Sequence, residues 1–315
     1  MSIVLSTGRP RRRTQLWCLG FVAPGVVLAG LFTFYPMVMS WYYSLVQWNG
    51  FGSAQTFVGL DNYRRLVHDH YFWAAFGRSF LFVVVAVPIR LGLSLVIAIV
   101  LNNQALKLSK FYRTFFFLPV VTTSAIVGIV MTFVLSPFHG PVNQALQHLS
   151  ITGGPLDFLG NSHTALWSIM GVEIWKDFGI SMIYWLAALQ TVPKEYQEAA
   201  AVDGAGPWQT FWRVSAPILL PFAAIITVLT ANNTLHLFAL VQSMTQGGPF
   251  YSTQLIEVFI YQTGFASENS GGVPQLGYAS AAGCLFGLAV MAIAMLQLWA
   301  VRRANRARSQ LAGAR

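Results

Sequence analysis

Six apolar stretches, each of 20 or more residues, are the feature of this sequence that most constrains its fold. A helix of about 20 residues crosses the roughly 30 Å hydrocarbon core of a bilayer, and it satisfies its own backbone hydrogen bonds there. The stretches cover about residues 16–41, 80–101, 115–135, 165–189, 218–241 and 279–301. The sequence therefore predicts an all-α integral membrane protein with six transmembrane helices.

The composition fits a membrane protein better than a soluble one. Of the 315 residues, 55% are hydrophobic and 9% are charged, whereas a soluble domain has about 25% charged residues. The first apolar stretch exceeds the roughly 7–15 residues of a signal-peptide core, so we expect it to be retained as a span. Cys18 and Cys284 lie within apolar stretches and lack metal-ligand spacing.

The lysines and arginines are divided unequally between the two sides of the predicted membrane. With the N-terminus placed inside, fourteen lie on the cytoplasmic side and three on the other, namely Arg64, Arg65 and Arg78. Cytoplasmic loops carry the excess of basic residues, so both termini are predicted to be cytoplasmic. Basic tails at 1–15 and 302–315 would then flank a membrane domain at 16–301. Basic residues that flank spans do not form a phosphate-tracking stripe, which argues against nucleic acid as a partner.

The loop between the fourth and fifth predicted spans, residues 193–217, is predicted to form a cytoplasmic helix–turn–helix. Pro193 is expected to open a helix, because its missing N–H is unpaired there in any case. Gly204 supplies a permissive backbone for a sharp turn. Pro207 is expected to start a second short helix that ends at Pro217.

This loop resembles the coupling loop of permeases from ATP-binding-cassette importers. The family pattern is Glu-Ala-Ala, three residues, Gly, nine residues, then Ile-x-Leu-Pro. The matching residues here are Glu198-Ala199-Ala200, Gly204 and Val214-x-Ala216-Pro217, with Val for Ile and Ala for Leu. The resemblance implies docking into a cleft of a separate ATPase, with contacts expected from Glu198, Ala199, Ala200, Asp203, Gly204 and Pro217. The triplet from Asp203 to Ala205 is typical of the sugar-importing branch.

Two further motifs extend the resemblance over roughly residues 15–300. Gly59-Leu-Asp-Asn-Tyr63 and Thr245-Gln-Gly-Gly-Pro249 resemble signatures of the first permease subunit of maltose-type and glycerol-phosphate-type importers. The resemblance implies a multi-pass protein of the prokaryotic cell membrane, in contact with lipid. It also implies a second homologous permease subunit, two ATPase subunits and an extracytoplasmic substrate-binding protein.

A nucleotide-binding loop of the form Gly-x4-Gly-Lys-Ser/Thr is absent from the sequence. We therefore expect no cofactor on this chain, and we expect ATP and Mg to bind the partner ATPase. A membrane enzyme is disfavoured because no catalytic set such as His-Glu-x-x-His is present. A secondary transporter is disfavoured because the sequence shows no paired inverted repeats.

Four ionisable residues fall at membrane depth: Arg90, Glu173, Lys176 and Asp177. Each costs at least about 2.5–3.5 kcal/mol there unless it is paired or hydrated. Arg90 either reaches an acid of the fourth span and locks two helices together, or it faces the substrate. The same alternatives, packing or substrate contact, stay open for His236.

The predicted substrate path lies on the fourth and fifth spans. The resemblance carries the family's sugar-contacting positions onto Asp177, Ile180, Thr230, Thr234 and Leu237. Two of these, Ile180 and Leu237, are apolar where the best-known sugar binder of the family is polar. Lys176 and Asn233 are added because polar groups at this depth favour a substrate path. Trp175 is added because its ring could stack on a sugar, the alternative being packing within the protein. A phosphorylated polyol such as glycerol phosphate is the alternative substrate, which would require several cations in the path.

Overall fold

The computed structural model describes residues 12–52, 55–103, 106–265 and 272–313, and helices account for most of them. The helices are α1 Arg12–Ala29, α2 Tyr35–Ser44, α3 Asp61–His68, α4 His70–Asn102, α5 Ser109–Val121, α6 Ser124–Val134, α7 Pro141–His148, α8 Ala165–Leu189, α9 Lys194–Val202, α10 Pro207–Thr210, α11 Ala216–Leu235, α12 Phe238–Met244, α13 Ile256–Phe265 and α14 Leu276–Gly313. Two-residue strands, β1 Val46–Gln47 and β2 Thr56–Phe57, pair antiparallel. The predicted all-α class is confirmed apart from this short ladder.

Fewer helices than predicted have the length and apolarity of a membrane span. Within the described residues there are four, or five if one bent pair counts as a single span. The four are Trp17–Ser44, His70–Asn102, Pro207–Leu235 and Leu276–Met295. The predicted fourth span forms with the expected bounds as α8, but its three ionisable side chains leave it outside this set.

The third predicted span, 115–135, is not one straight helix. It forms as α5 and α6, which meet at a bend of 97°. Pro119 lies in the last turn of α5 and cannot donate a backbone hydrogen bond. Thr122 and Thr123 then adopt extended backbone, which suits β-branched residues, and α6 begins at Ser124.

In the part of the chain that the structure describes, two helices contain a π-helical turn, and a proline follows each turn at the same spacing. The turns are Gly30–Phe34 and Phe211–Ser215, and the prolines are Pro36 and Pro217, two residues beyond the last π residue. A proline ring clashes with the carbonyl four residues earlier, which in both cases belongs to the middle of the π turn. Widening that turn relieves the clash and lets the helix continue.

This continuation corrects the predicted end of the helix–turn–helix in residues 193–217. The first helix, α9, forms with Pro193 as its N-cap, and Gly204 has a φ of +78°, as its turn requires. Pro207 opens α10 as predicted. The second helix does not end at Pro217, because the π turn carries it directly into α11.

The described residues of 1–66 and 263–284 form one compact unit, in which the Gly-Leu-Asp-Asn-Tyr motif stabilises the turn between α2 and β1. The buried Asn62 amide donates to the carbonyls of Ser44 (2.9 Å) and Val46 (3.1 Å). The Tyr63 hydroxyl donates to Ser44 Oγ at 2.8 Å, and burial raises the pKa of that phenol. The motif therefore fixes the end of α2 to the start of β1.

The described residues of 67–262 and 285–315 form the second unit, in which α8 packs along α4 and against α5 and α11. One apolar cluster is built around Phe82, Ile169 and Leu240, and another around Met182 and Leu186. Gly179 allows α8 to approach α5 closely, because a Cβ there would collide with the backbone carbonyl of Phe116 on α5. Helix α14 continues through the predicted basic tail as far as Gly313.

Candidate functional site

A buried cluster of charges joins three helices of the second unit. Arg90 on α4 places Nη1 2.5 Å from Glu173 Oε1 on α8, and both residues are buried (1% and 0% exposed). Asp177 Oδ2, one helical turn along α8, lies 3.9 Å from the same Nη1. Of the two alternatives for Arg90, the structure shows the one in which it reaches an acid of the fourth span.

Helix α11 completes the cluster with two threonines. Thr234 Oγ1 donates to Glu173 Oε1 at 3.0 Å. Arg90 Nη2 donates to the backbone carbonyl of Thr230 at 3.4 Å. Both threonines are buried, so Glu173 is the point at which α4, α8 and α11 meet.

A second ion pair lies at the edge of the cluster. Lys176 Nζ donates to Asp177 Oδ1 at 2.8 Å, and the Asp177 side chain retains 22% exposure. Two cations therefore face two carboxylates, and each cation already has a carboxylate partner. In the buried Arg90–Glu173 pair, removal of either residue would leave an uncompensated charge in the protein interior, which is costly.

Several buried polar atoms in this region have no hydrogen-bond partner among the described residues. They include Arg90 Nε, Glu173 Oε2 and the Thr230 hydroxyl. Such atoms are uncommon in folded proteins, because each one loses its hydration without compensation. The cluster therefore contains donor and acceptor atoms that could form further hydrogen bonds, and they lie next to the part-exposed Asp177.

The predicted path residues fall into two groups. Lys176, Asp177, Thr230 and Thr234 gather around the Arg90–Glu173 pair. Asn233 is exposed, Ile180 is part-buried, and Leu237 is buried among apolar side chains of the cluster around Phe82. The chain by itself buries Thr230 and Thr234, so their role as path residues stays a prediction.

Trp175 lies away from the charge cluster. It is two residues from Asp177, or about 200° around α8, and it lines an apolar cavity of about 480 Å³ with Met131, Leu135 and Trp167. The Thr164 and Ser168 hydroxyls in the same lining already donate to backbone carbonyls. The cavity therefore offers few polar groups to a sugar. Trp175 is 48% exposed in this chain, so both alternatives for its ring, stacking and packing, stay open.

The fifth predicted span, 218–241, is interrupted, and the sequence analysis missed the residue that holds the interruption. α11 ends at Leu235 and α12 begins at Phe238. Glu257, in the first turn of α13, accepts from His236 Nδ1 (2.8 Å) and from the Phe238 N–H (2.9 Å). The available signal was an isolated acid within the apolar run from 255 to 260.

The helix–turn–helix of residues 193–217 presents an open surface in this chain. Glu198, Ala199, Asp203, Gly204 and Pro217 are all exposed, and Ala200 is half-buried. Large apolar side chains accompany them, with Val202 88% exposed and Trp208 73% exposed. A surface with this composition is suited to contact with another protein or with the membrane interface.

Long apolar helices, a polar cluster between them and an exposed helical loop together define a membrane-embedded transport subunit. The chain belongs to the family described as the binding-protein-dependent transport system inner membrane component, whose family model matches residues 90–306. It is therefore a multi-pass membrane protein of the permease class, which confirms the resemblance drawn from its motifs.

Relatives cover nearly the whole chain. The lactose transport system permease protein LacF of Rhizobium radiobacter is 34% identical over 90% of this chain and 93% of its own length. The probable ABC transporter permease protein YurN of Bacillus subtilis is 30% identical over 88% and 93%. The sn-glycerol-3-phosphate transport system permease protein UgpA of Salmonella typhimurium is 30% identical over 83% and 88%.

Solved structures show the same fold. A chain of a bacterial ABC transporter involved in the import of the acidic polysaccharide alginate aligns with a TM-score of 0.78 and 21% identity. The alignment covers 92% of this chain and 96% of that one. A chain of a bacterial alginate ABC transporter in complex with an alginate pentasaccharide-bound periplasmic protein gives a TM-score of 0.79 at 21% identity.

Proposed function

We propose that this chain is one of two permease subunits of an ATP-driven carbohydrate importer. Family membership and the similarity to a lactose permease support this proposal. The observation that carries it is the cluster of hydroxyl and charged groups on α4, α8 and α11. Polyhydroxylated solutes lose hydration on entering a membrane protein, so they need hydrogen-bonding partners along their path.

The pairing of charges in the cluster favours an uncharged sugar over a phosphorylated polyol. Arg90 is paired with Glu173, and Lys176 with Asp177. A phosphate group would have to displace a carboxylate from one of these cations and would bring its own negative charge close to that carboxylate. The glycerol-3-phosphate alternative is retained because UgpA is a relative of similar identity.

We propose that the path runs past Lys176, Asp177, Thr230 and Thr234, and that these groups become accessible when the assembled transporter opens to the outside. Helices α8 and α11 lie on either side of residues 193–217, so movement of this loop would move both of them directly. Weak binding is expected at such a site, because a path must release what it binds.

The exposed loop is proposed to couple that movement to ATP hydrolysis. Helix α9, which carries Glu198, Ala199 and Ala200, would insert into a cleft of the ATPase, with the turn at Gly204 setting the direction of α10. ATP and Mg would be bound by the ATPase, and this chain would bind no cofactor of its own. The loop is expected to be cytoplasmic, as are the tails 1–15 and 302–315 that flank the membrane domain 16–301.

The proposed assembly contains a second homologous permease subunit, two ATPase subunits and an extracytoplasmic substrate-binding protein, within a prokaryotic cell membrane. The family description and the alginate transporter solved with its periplasmic protein support the last of these partners. Selectivity would be supplied mainly by the binding protein.

The test is ATP-driven uptake by the complete assembly reconstituted in proteoliposomes. The solute carried by the companion binding protein is first identified by mass spectrometry, and its labelled form is then used in uptake. Accumulation of a neutral sugar that depends on ATP and on the binding protein is expected. Uptake of glycerol phosphate with no sugar uptake would favour the alternative, and ATP-independent uptake would contradict the proposal.

A further inference from the structure

The interruption between α11 and α12 exposes backbone groups within a segment predicted to span the membrane. His236 has φ −106° and ψ 68°, which ends α11, and its N–H bonds back to the Asn233 carbonyl. The first N–H groups of a new helix have no partner within that helix. At membrane depth a break of this kind requires partners from elsewhere in the protein.

Glu257 supplies those partners on both sides of the break. Its Oε2 accepts from the Phe238 N–H at 2.9 Å, and its Oε1 lies 2.8 Å from His236 Nδ1. The His236 side chain is 55% exposed, whereas that of Glu257 is 23% exposed. One carboxyl group thus links His236, the residue that follows α11, to the first residue of α12.

The segment that carries Glu257 is itself fixed to α4. The Ile256 N–H donates to Ser79 Oγ at 2.9 Å, and Arg78 Nε donates to the Gln254 carbonyl at 3.1 Å. Ser79 and Gln254 are both buried. Glu257 is therefore anchored to the helix that also carries Arg90.

The last turn of α11 is consequently held at two points. Thr234 is bonded to Glu173 in the charge cluster, and two residues later His236 is bonded to Glu257. Both anchors trace back to α4, through Arg90 and through Ser79. Loss of either anchor would let the turn that carries Thr230 and Thr234 rotate or unwind.

We propose that Glu257 is a positioning residue for the translocation path: by bracketing the break at His236 and Phe238, it fixes how α11 presents Thr230 and Thr234. It does not itself contact the solute in this proposal. The inference rests on the proposed function, since it assigns Glu257 a part in presenting that path.

The test compares Glu257→Ala and Glu257→Gln with a matched control, Asp157→Ala. Asp157 Oδ1 also accepts from a backbone N–H, that of Gly160 at 2.7 Å, but in an exposed loop away from the cluster. Glutamine keeps one acceptor oxygen, so partial rescue distinguishes positioning from a nonspecific loss of stability. All variants are compared at equal inserted amounts in the reconstituted assembly.

Three measurements are made. Hydrogen exchange of the backbone amides in a peptide containing Phe238 is expected to be about tenfold or more faster in Glu257→Ala, because the Phe238 N–H loses its hydrogen bond to a charged group. Labelling of an Asn233→Cys reporter by a membrane-impermeant maleimide, with Cys18 and Cys284 replaced by serine, should change several-fold. The maximal uptake rate should fall by a similar factor, with Glu257→Gln intermediate and Asp157→Ala unchanged.

Unchanged exchange and unchanged reporter labelling in Glu257→Ala would overturn the proposal. Faster exchange with wild-type uptake would also overturn it, because Glu257 would then stabilise the break without positioning the path. If the wild-type assembly takes up no sugar at all, the proposed function fails, and exchange and labelling still decide whether Glu257 fixes the break.

Discussion

Arg90 and Glu173 lie 83 positions apart in the chain, and their side chains meet in an ion pair that is closed off from solvent. The pair ties α4 to α8, and Thr234 ties α11 to the same carboxylate. Asp177 lies next to this pair and is itself paired with Lys176. The groups proposed to contact the solute are therefore positioned by the Arg90–Glu173 ion pair.

Removing one member of this pair should destabilise the protein more than removing both. Arg90→Met leaves Glu173 buried without its cation, at a cost of about 3–5 kcal/mol, whereas a buried pair replaced by apolar side chains is often tolerated. We expect the double variant Arg90→Met/Glu173→Met to recover most of the thermal stability lost by Arg90→Met in detergent. A double variant no more stable than the single ones would contradict this account.

Valine at Gly204 should uncouple ATP hydrolysis from transport while the chain still folds and inserts. The φ of +78° costs about 1–2 kcal/mol for a residue with a Cβ and more for a β-branched one, so the turn after α9 should change direction. Gly206→Val is the control, since Gly206 has a φ of −67° and open space around it. ATPase stimulation by the loaded binding protein is the measurement. Normal stimulation in Gly204→Val would count against the coupling role.

Asp177→Ala should lower uptake about tenfold or more, because it leaves the buried Lys176 without its carboxylate and removes a path acceptor. Thr234→Val should lower uptake as well, since it removes the hydroxyl bonded to Glu173. Solute affinity of the binding protein and basal ATPase activity should not change in either variant. Wild-type uptake by both variants would make these residues structural and the transfer of sites from the family wrong.

Gly179→Ala should lower the thermal stability of the protein by about 1–3 kcal/mol, as overpacking does in a tight interior. A methyl group there would collide with the Phe116 carbonyl and push α5 away from α8. Gly171→Ala, on the same helix, meets no atom within 4 Å and should melt like the wild type. Equal melting temperatures for the two variants would show that this contact does not limit the packing.

The membrane topology can be tested by labelling of single cysteines in intact cells, after replacement of Cys18 and Cys284. Labels at residue 5, in the 140s and in the 260s should react from the inside, the outside and the outside, respectively. This follows from the unequal distribution of lysine and arginine. A cytoplasmic 140s or 260s loop would overturn the predicted orientation.

Local signals were sufficient to predict much of the structure. Apolar length predicted α8 with its observed bounds, and proline and glycine chemistry predicted the start of α9 and the turn at Gly204. The prediction of a helix end failed where the helix-breaking tendency of a proline competed with a local widening of the helix. Pro217 was expected to end a helix, but a π turn accommodates its ring and the helix runs on.

Contacts between distant segments account for the rest. The pairing of Arg90 with Glu173 was one of two alternatives in the sequence, and only packing of α4 on α8 selects it. The family resemblance assigned Leu237 to the path, whereas in this chain it follows the break at His236 and packs in the apolar cluster around Phe82. Glu257 was missed because its partners lie 19 and 21 positions away in the chain.

The bend between α5 and α6 has a consequence for the assembled transporter. At Thr122 and Thr123 the backbone leaves the helix, and both residues are exposed. The Thr122 N–H bonds back to the Pro119 carbonyl, but the first N–H groups of α6 have no partner within that helix. Hydrocarbon cannot hydrogen-bond to such groups, and irregular backbone at membrane depth is tolerated only against protein or water. The surface of the subunit that carries these two threonines should therefore contact a neighbouring subunit or the aqueous channel, and not the lipid.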